Sequence, residues 1–179
     1  MSFRIGQSTI SGIIKETVRA IYQVLKDDYL KFPASIEEWK AVASDAYERW
    51  NFPNTLGAMD GKHFVLEQPV KSGSMFHNYK GDFSVVLLAI VDAHLRFIFI
   101  DVGTNGRASD RGIWNNSGIK SYLENTHFPL APLPNTDVLV PYVIVGDEGF
   151  TLSQHVMIPY PKDLLVARKD RRIFNYRFV

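Results

Sequence analysis

The sequence predicts a mixed α/β fold, in which a sheet flanked by helices follows a helical N-terminal segment. Over residues 8–25 and 36–47, apolar residues recur every three to four positions, as in amphipathic helices. From residue 64 onward the apolar runs are instead short, β-branched and aromatic, which is typical of strands. A helical stretch, residues 111–125, precedes the last of these runs, and this order favours a mixed sheet.

Length and composition fit one domain and exclude several kinds of site. The 179 residues can bury one hydrophobic core, and the lack of cysteine excludes disulfides, thiolate zinc sites and cysteine nucleophiles. A net charge of +1 gives no overall electrostatic case for nucleic acid, so binding would rest on local basic groups or a metal. Without a signal peptide or an apolar run of membrane-spanning length, we expect a soluble protein of the nucleus or cytoplasm, with no membrane association.

Two helices are predicted in the first 50 residues. The helix over residues 8–25 has Ser8 as its N-cap, and two interpretations remain open for it. It is either an ordinary helix packed on the core or the second helix of a helix-turn-helix, whose short polar residues would meet bases or phosphates. Ser35 and Glu38 form a capping-box pattern that opens the next helix, which extends through Tyr47.

The second half is predicted to contain strands that are buried on both faces. A three-residue turn, 92–94, makes the second and third strands antiparallel neighbours, and Ser109 or Asp110 is the N-cap of helix 111–125. Residues 129–141, with four prolines, are expected to form an irregular loop, and the basic stretch 168–177 a helix. The predicted strands are residues 64–68, 83–93, 95–102 and 138–145.

Three aspartates stand beside glycine or serine near the ends of these predicted elements: Asp60, Asp110 and Asp147. Taken alone, Asp60-Gly61 is a common turn signal. Carboxylates gathered at neighbouring strand ends are, however, the ligands that Mg²⁺ and Mn²⁺ prefer, and two such ions about 4 Å apart can cleave a phosphodiester. The pattern therefore indicates metal-dependent phosphodiester chemistry, and another metal-dependent phosphohydrolase of α/β type remains an alternative.

The chain also resembles, block by block, the PIF/Harbinger transposases and the Harbinger transposase-derived nucleases. Six ordered blocks carry this resemblance and cover essentially the whole chain, which makes it far more specific than a single Asp-Gly pair. They include Gly57-Ala58-Met59-Asp60-Gly61 and Gly146-Asp147-Glu148-Gly149-Phe150. In full, the blocks are residues 51–63, 76–84, 87–93, 101–110, 145–150 and 173–177.

The resemblance implies a ribonuclease-H-like core that cuts DNA, expected to be double-stranded, with Mg²⁺ or Mn²⁺. By position, Asp60 and Asp147 match the first two catalytic aspartates, and Asp110 matches a further metal ligand, so all three are expected to bind metal. Residues 51–179 would be an incomplete DDE nuclease domain, and residues 1–50 a helical segment with a helix-turn-helix remnant. A nuclear location and a separate DNA-binding partner protein are also expected.

One departure from the family pattern bears on activity. In the family, a glutamate that follows the pair seen here as Tyr176-Arg177 completes the site, and this chain ends at Val179. Glu148 is a poor substitute because it directly follows Asp147, and a strand or turn would aim its side chain away from the place that Asp147 faces. The sequence therefore predicts weak or absent activity, and the alternative is a non-catalytic remnant that binds DNA or a protein.

Other polar residues receive no catalytic role at this stage. His63 lies close enough to Asp60 in sequence to touch a phosphate, or it is a polar residue of a strand. Lys62, Lys80, Arg107 and the basic tail are candidates to line a path for DNA, although charged side chains of this kind are commonly just solvated.

Overall fold

The computed structural model describes residues 4–166 and 168–178, and within them the chain forms the predicted mixed α/β fold. The helices are α1 (Gln7–Tyr29), α2 (Ile36–Trp50), α3 (Asp110–Asn116), α4 (Gly118–Asn125) and α5 (Lys169–Phe178), with a short 3₁₀ helix at Lys162–Leu165. The strands are β1 (Thr55–Val65), β2 (Ser84–Val91), β3 (Phe97–Asn105), β4 (Ala131–Pro132), β5 (Leu139–Val140), β6 (Val143–Gly146) and β7 (Val156–Met157).

The main sheet has five strands in the order β3-β2-β1-β6-β7. Strands β1, β2 and β3 form an antiparallel meander, in which the pairing of β2 with β3 is the one that the short turn at residues 92–94 predicts. After α3 and α4 the chain crosses back, and β6 pairs in parallel with β1 and with β7. This topology is that of a ribonuclease-H-like fold. Strands β4 and β5 form a separate two-stranded ladder.

Strand β1 begins at Thr55 and ends at Val65, so the bounds of the strand predicted over residues 64–68 were wrong and only residues 64 and 65 belong to it. The cause is the glycine-rich sequence before residue 64, which reads as a turn. Gly57 instead adopts a φ of 140°, and a Cβ there would lie 2.6 Å from the Val91 carbonyl oxygen and 2.9 Å from Ile90 Cγ2. Its lack of a side chain allows β2 to approach, and Asp60 consequently lies within a strand rather than in a turn.

The hydrophobic core lies between one face of the sheet and the helices. Along β2 the residues alternate between buried and partly buried, so the prediction of strands buried on both faces was wrong for this strand. Trp39 of α2 is fully buried and donates a hydrogen bond from Nε1 to Tyr122 Oη of α4 at 3.2 Å. The core side chains of the sheet, α3 and α4 include Val86, Leu88, Ile90, Ile113, Trp114, Ile119, Leu123 and Ile144.

The predicted capping box of α2 is present in modified form. Ser35 Oγ accepts a hydrogen bond from the Glu38 amide at 3.2 Å, as predicted. Glu38 Oε2, however, accepts from the Ala34 amide at 2.7 Å rather than from the Ser35 amide. The helix ends at Asn51, which takes the left-handed conformation common at helix ends.

Helix α1 is longer than predicted and is not packed in the core. It begins one residue before Ser8, its N-cap is Gly6 without a side-chain hydrogen bond, and none of its 23 residues is buried. The interpretation of α1 as an ordinary core-packing helix was therefore wrong. Nothing in the fold tests the helix-turn-helix interpretation.

The remaining differences from the sequence predictions are local. The single helix predicted at residues 111–125 is two helices, because buried Ser117 accepts from the Lys120 amide at 3.3 Å and starts α4 anew. The predicted fourth strand is divided into β5 and β6, and the ladder β4-β5 and strand β7 were not predicted.

Among the described residues, no helix combines the length and apolar character needed to cross a membrane.

Candidate active site

Asp60 and Asp147 lie next to each other because of the register between two parallel strands. Met59 of β1 pairs with Gly146 of β6, and each aspartate is the residue that follows its paired neighbour. Neighbouring strands are about 4.8 Å apart, so equivalent positions on them are adjacent. β6 ends at Gly146, whereas β1 continues through Asp60 to pair with β2. The two carboxylates thus stand where the parallel pairing stops.

Asp110 approaches the same place from α3, of which it is the first residue. Ser109 caps this helix by accepting a hydrogen bond from the Gly112 amide at 3.2 Å, one of the two N-caps that the sequence allowed. A Cβ on Gly61 would collide with Asp110 Oδ1, and a Cβ on Gly149 would lie 3.2 Å from Asp110 Oδ2. The two glycines therefore leave the space that the Asp110 carboxylate occupies.

The three carboxylates share one electrostatic environment. Burial raises the pKa of Asp110 above its usual value, and the negative charges of Asp147 and Asp60 raise it further, while His63 acts in the opposite direction. This response places Asp60 and Asp147 within electrostatic reach of Asp110. Carboxylates that repel one another in this way are stabilised by a shared cation.

Two of the carboxylates are held by backbone amides. Asp60 Oδ1 accepts from the Gly61 amide at 2.7 Å, and Asp147 Oδ1 accepts from the Gly149 amide at 2.9 Å. Hydrogen bonds of this kind fix a carboxylate while its second oxygen stays available to a ligand. The donor chemistry, hard carboxylate oxygens around a space kept open by glycine, fits Mg²⁺ or Mn²⁺. As these side chains are oriented, no three acidic or histidine groups of the described residues converge as metal ligands.

His63 and its partners form a part of this region whose arrangement was not predicted. His63 is two residues beyond Gly61 on β1, so both residues face the side of the strand where Asp110 lies. Its Nδ1 is 2.9 Å from Ser84 Oγ of β2, and Ser84 is fully buried. Sequence spacing gave no sign of this contact, because it depends on the pairing of β1 with β2.

Helix α5 packs beside the strands that carry Asp60 and Asp147. The ring of Phe52, just before β1, packs against Phe174 and Phe178 with centroids 5.8 and 5.7 Å apart. Phe178 also lines a cavity with Ala58 and Val145, which are two residues before Asp60 and Asp147. The end of α5 therefore lies beside the strands that carry the two aspartates.

The ribonuclease-H-like sheet and its three neighbouring aspartates are the features of a DDE-type nuclease domain. Residues 59–178 match the family described as DDE superfamily endonuclease. The chain belongs to this superfamily, whose members generally use divalent metal ions.

One curated relative extends this comparison. The chain is similar to Protein ALP1-like from Arabidopsis thaliana, with 30% identity over 165 residues. The alignment covers 89% of this chain and 39% of the relative, so the chain spans well under half of that protein. No solved structure gives a significant match.

Proposed function

We propose that this chain carries the catalytic sheet of a transposase-derived, divalent-metal-dependent endonuclease that cuts double-stranded DNA. The observation that carries the proposal is the register of β1 and β6, which makes Asp60 and Asp147 neighbours. Membership of the DDE endonuclease superfamily and the resemblance to the Harbinger-type enzymes support the choice of DNA as substrate.

The three aspartates would bind the metal, and backbone amides hold two of them in position. Asp60, Asp110 and Asp147 would hold the metal. A bound divalent cation activates an attacking water and neutralises the leaving oxygen. The amides of Gly61 and Gly149 orient the Asp60 and Asp147 carboxylates in advance, which reduces the reorganisation needed when substrate and metal bind. Burial and the charges of Asp147 and Asp60 raise the pKa of Asp110, and a bound cation would offset that repulsion.

Exposed basic side chains near the carboxylates are suited to contact the DNA backbone. Lys62 is exposed on β1 between Gly61 and His63, and Lys80 and Arg107 are exposed on the neighbouring loops. A net charge of +1 means that these local contacts, rather than the overall field, would attract DNA.

We expect the 179-residue chain to bind Mg²⁺ or Mn²⁺ weakly and to cut DNA poorly or not at all. α5 contains one acidic residue, Asp170, which lies in its first turn and lines a cavity together with Phe52. The glutamate that the resemblance implies beyond Tyr176-Arg177 would be the residue that completes the site.

A plasmid-nicking assay with Mn²⁺ tests the proposal. It compares the 179-residue chain with a version extended by the downstream reading frame, each with and without Asp60→Ala or Asp147→Ala. Asp137→Ala, in the exposed β4-β5 loop, is the matched control. We expect nicking by the extended chain that either site substitution abolishes and the control preserves.

Two results would overturn parts of this proposal. If the extended chain binds DNA and Mn²⁺ but its nicking survives both Asp60→Ala and Asp147→Ala, the assignment of the site is wrong. Robust nicking by the unextended chain that both substitutions abolish would instead show that Asp110 or Glu148 suffices to complete the site.

The second candidate function is a non-catalytic remnant that binds DNA or a protein. It is favoured by the finding that no three acidic or histidine side chains of residues 4–166 and 168–178 converge as metal ligands. An extended chain that binds DNA equally well with and without Mn²⁺, and nicks under neither condition, would support this function over the first.

We further propose a nuclear location, since the substrate is genomic DNA, and cooperation with a separate DNA-binding protein. The near-neutral charge supports the proposal of a DNA-binding partner, because the chain alone has little long-range attraction for DNA. Microscopy of the fluorescently tagged chain would test the location, and purification of the tagged chain from nuclear extract would test the partner. Exclusion of the tagged chain from nuclei would contradict the proposed nuclear location.

A further inference from the structure

Tyr79 is an exposed aromatic residue beside His63. Its side chain is 82% exposed, although its ring meets that of His63 edge to face, with centroids 5.8 Å apart. The ammonium of Lys80 lies 5.5 Å from the centroid of the Tyr79 ring. An aromatic ring presented this fully to solvent is available to a ligand.

The loop that carries Tyr79 is held in one conformation by hydrogen bonds to buried polar groups. Asn78, 5% exposed, donates from Nδ2 to Ser84 Oγ at 3.0 Å. Its Oδ1 accepts from the amides of Lys80 and Asp82 at 2.9 and 3.0 Å, which closes the turn around Tyr79. A buried network with satisfied partners holds one conformation, so Tyr79 stands on a rigid support.

The same network connects the loop to the site. Ser84 Oγ, the acceptor of the Asn78 bond, is also the partner of His63 Nδ1. His63 in turn lies on the face of β1 that Asp110 approaches at Gly61. Asn78, Ser84 and His63 therefore link the position of the Tyr79 ring to that of the Asp110 carboxylate.

We infer that Tyr79 is a stacking platform for an unpaired DNA base next to the phosphate that is cut. This inference rests on the proposed function, and it adds a preference for DNA that is locally unpaired beside the cleavage point. A ring face can stack only on a base face, and both faces of a paired base within a duplex are already covered by its neighbours. The strand must therefore be opened locally, or already contain a gap, where it meets Tyr79.

Lys80 would bind the phosphate next to the base that stacks on Tyr79. Its ammonium covers the ring through a cation–π interaction, which is weak at an exposed position. A base that stacks on that face displaces the ammonium, which then lies within reach of the adjoining phosphate. The pair of residues thus recognises a nucleotide as a unit, the base by Tyr79 and the phosphate by Lys80.

The test measures binding of a fluorescently labelled duplex with a short central gap and of the same duplex fully paired, with Ca²⁺ replacing Mn²⁺. Tyr79→Ala removes the ring, Tyr79→Phe keeps it, and Tyr29→Ala removes an exposed ring elsewhere. Tyr29 lies with Leu95 and Phe97 at the opposite end of β2 from Ser84. Because Tyr79 is exposed, the Tyr79→Ala variant should fold, and its thermal midpoint is measured alongside.

We expect the unsubstituted chain to prefer gapped DNA. Tyr79→Ala should weaken binding of gapped DNA by about 5- to 150-fold, the range for loss of one stacked base, and leave binding of paired DNA unchanged. Tyr79→Phe and Tyr29→Ala should bind as the unsubstituted chain does. 5-Iododeoxyuridine placed in the gap should cross-link to the peptide that contains Tyr79.

Failure of this inference is distinguishable from failure of the proposed nuclease. If gapped DNA binds and Tyr79→Ala does not weaken it, or if the chain does not prefer gapped DNA, the stacking inference is wrong and the nuclease proposal stands. If the chain binds neither gapped nor paired DNA, the stacking inference is wrong, and the nicking assay with the extended chain decides the nuclease proposal separately. If Tyr79→Ala weakens binding but the extended chain never nicks, the platform is supported and the nuclease is not.

Discussion

The carboxylate of Asp92 stabilises the turn between β2 and β3. Its side chain is 6% exposed, and it accepts hydrogen bonds from the amides of His94 and Arg96 at 2.9 Å and from Arg96 Nε at 2.8 Å. Burial by itself would raise the pKa of Asp92, but these hydrogen bonds and the charge of Arg96 outweigh it, and the pKa is lowered. The ionised carboxylate therefore stabilises the folded state.

Asp92→Asn should accordingly destabilise the fold at neutral pH. We expect a loss of about 1 kcal/mol, reduced by the exposure of the Arg96 side chain, which corresponds to about 2–4 °C in the thermal midpoint. The contribution is present above the ordinary pKa of 3.8 and is lost as the pH falls through the lowered pKa of the folded state. Thermal melts of the variant, with Asp137→Asn as control, should converge with the unsubstituted chain only in acid.

Asp110 differs from Asp92 because burial and the negative charges of its neighbours destabilise its ionised form. Asp110→Asn removes the repulsion from Asp147 and Asp60, so the metal-free chain should melt about 1–3 °C higher. The same substitution removes a proposed ligand, so Mn²⁺ should stabilise the variant less than it stabilises the unsubstituted chain. Melting curves with and without Mn²⁺ measure both effects, and a lower midpoint without metal would contradict the repulsion argument.

Helix α1 contributes no buried residue to the core. Its apolar residues are all exposed, including Ile14, Val18 and Ile21 at 57, 59 and 54%. Removal of residues 1–25 should leave the thermal midpoint within about 2 °C and reduce association through the exposed apolar stripe. Calorimetry and light scattering of the shortened chain provide the test, and a fall of more than about 5 °C would show that α1 is part of the core.

Helix α5 is expected to be the least protected helix of the second half. None of its residues is buried, and its contacts with the rest of the chain include the stacking of Phe174 and Phe178 on Phe52. A ten-residue helix depends on such packing for stability. Hydrogen exchange should therefore be faster over residues 171–178 than over 85–91 of β2, and equal protection would refute this expectation.

At the scale of the whole molecule, DNA binding should depend strongly on salt. The net charge is +1, so affinity would come from a few Lys and Arg contacts with phosphate that release counterions. Binding measured between about 50 and 200 mM salt should weaken by roughly tenfold or more. Substitution of Lys62 or Arg107 by alanine should each reduce the logarithmic salt slope by about one, and an unchanged slope would exclude that residue as a phosphate contact.

Several parts of this protein were determined by local sequence. The N-cap of α2 is set by Ser35, and the β2-β3 hairpin is set by two apolar runs with a short polar turn between them. Asp60 and Asp147 could be chosen as candidates because each stands beside glycine in a motif with a family resemblance. Signals of this kind are strong because the residues that define them are neighbours in the chain.

Other features were decided only by tertiary structure. The apolar stripe of α1 predicted a helix packed on the core. A stripe of this kind does not show whether a partner surface exists, and in the fold the stripe is exposed. The start of β1 was hidden by Gly57, whose conformation makes sense only against β2. The approach of Asp147 to Asp60 and the contact of His63 with Ser84 both depend on strand pairing between distant segments. Local periodicity reports which residues share a face, but it does not report which distant strand will lie beside them.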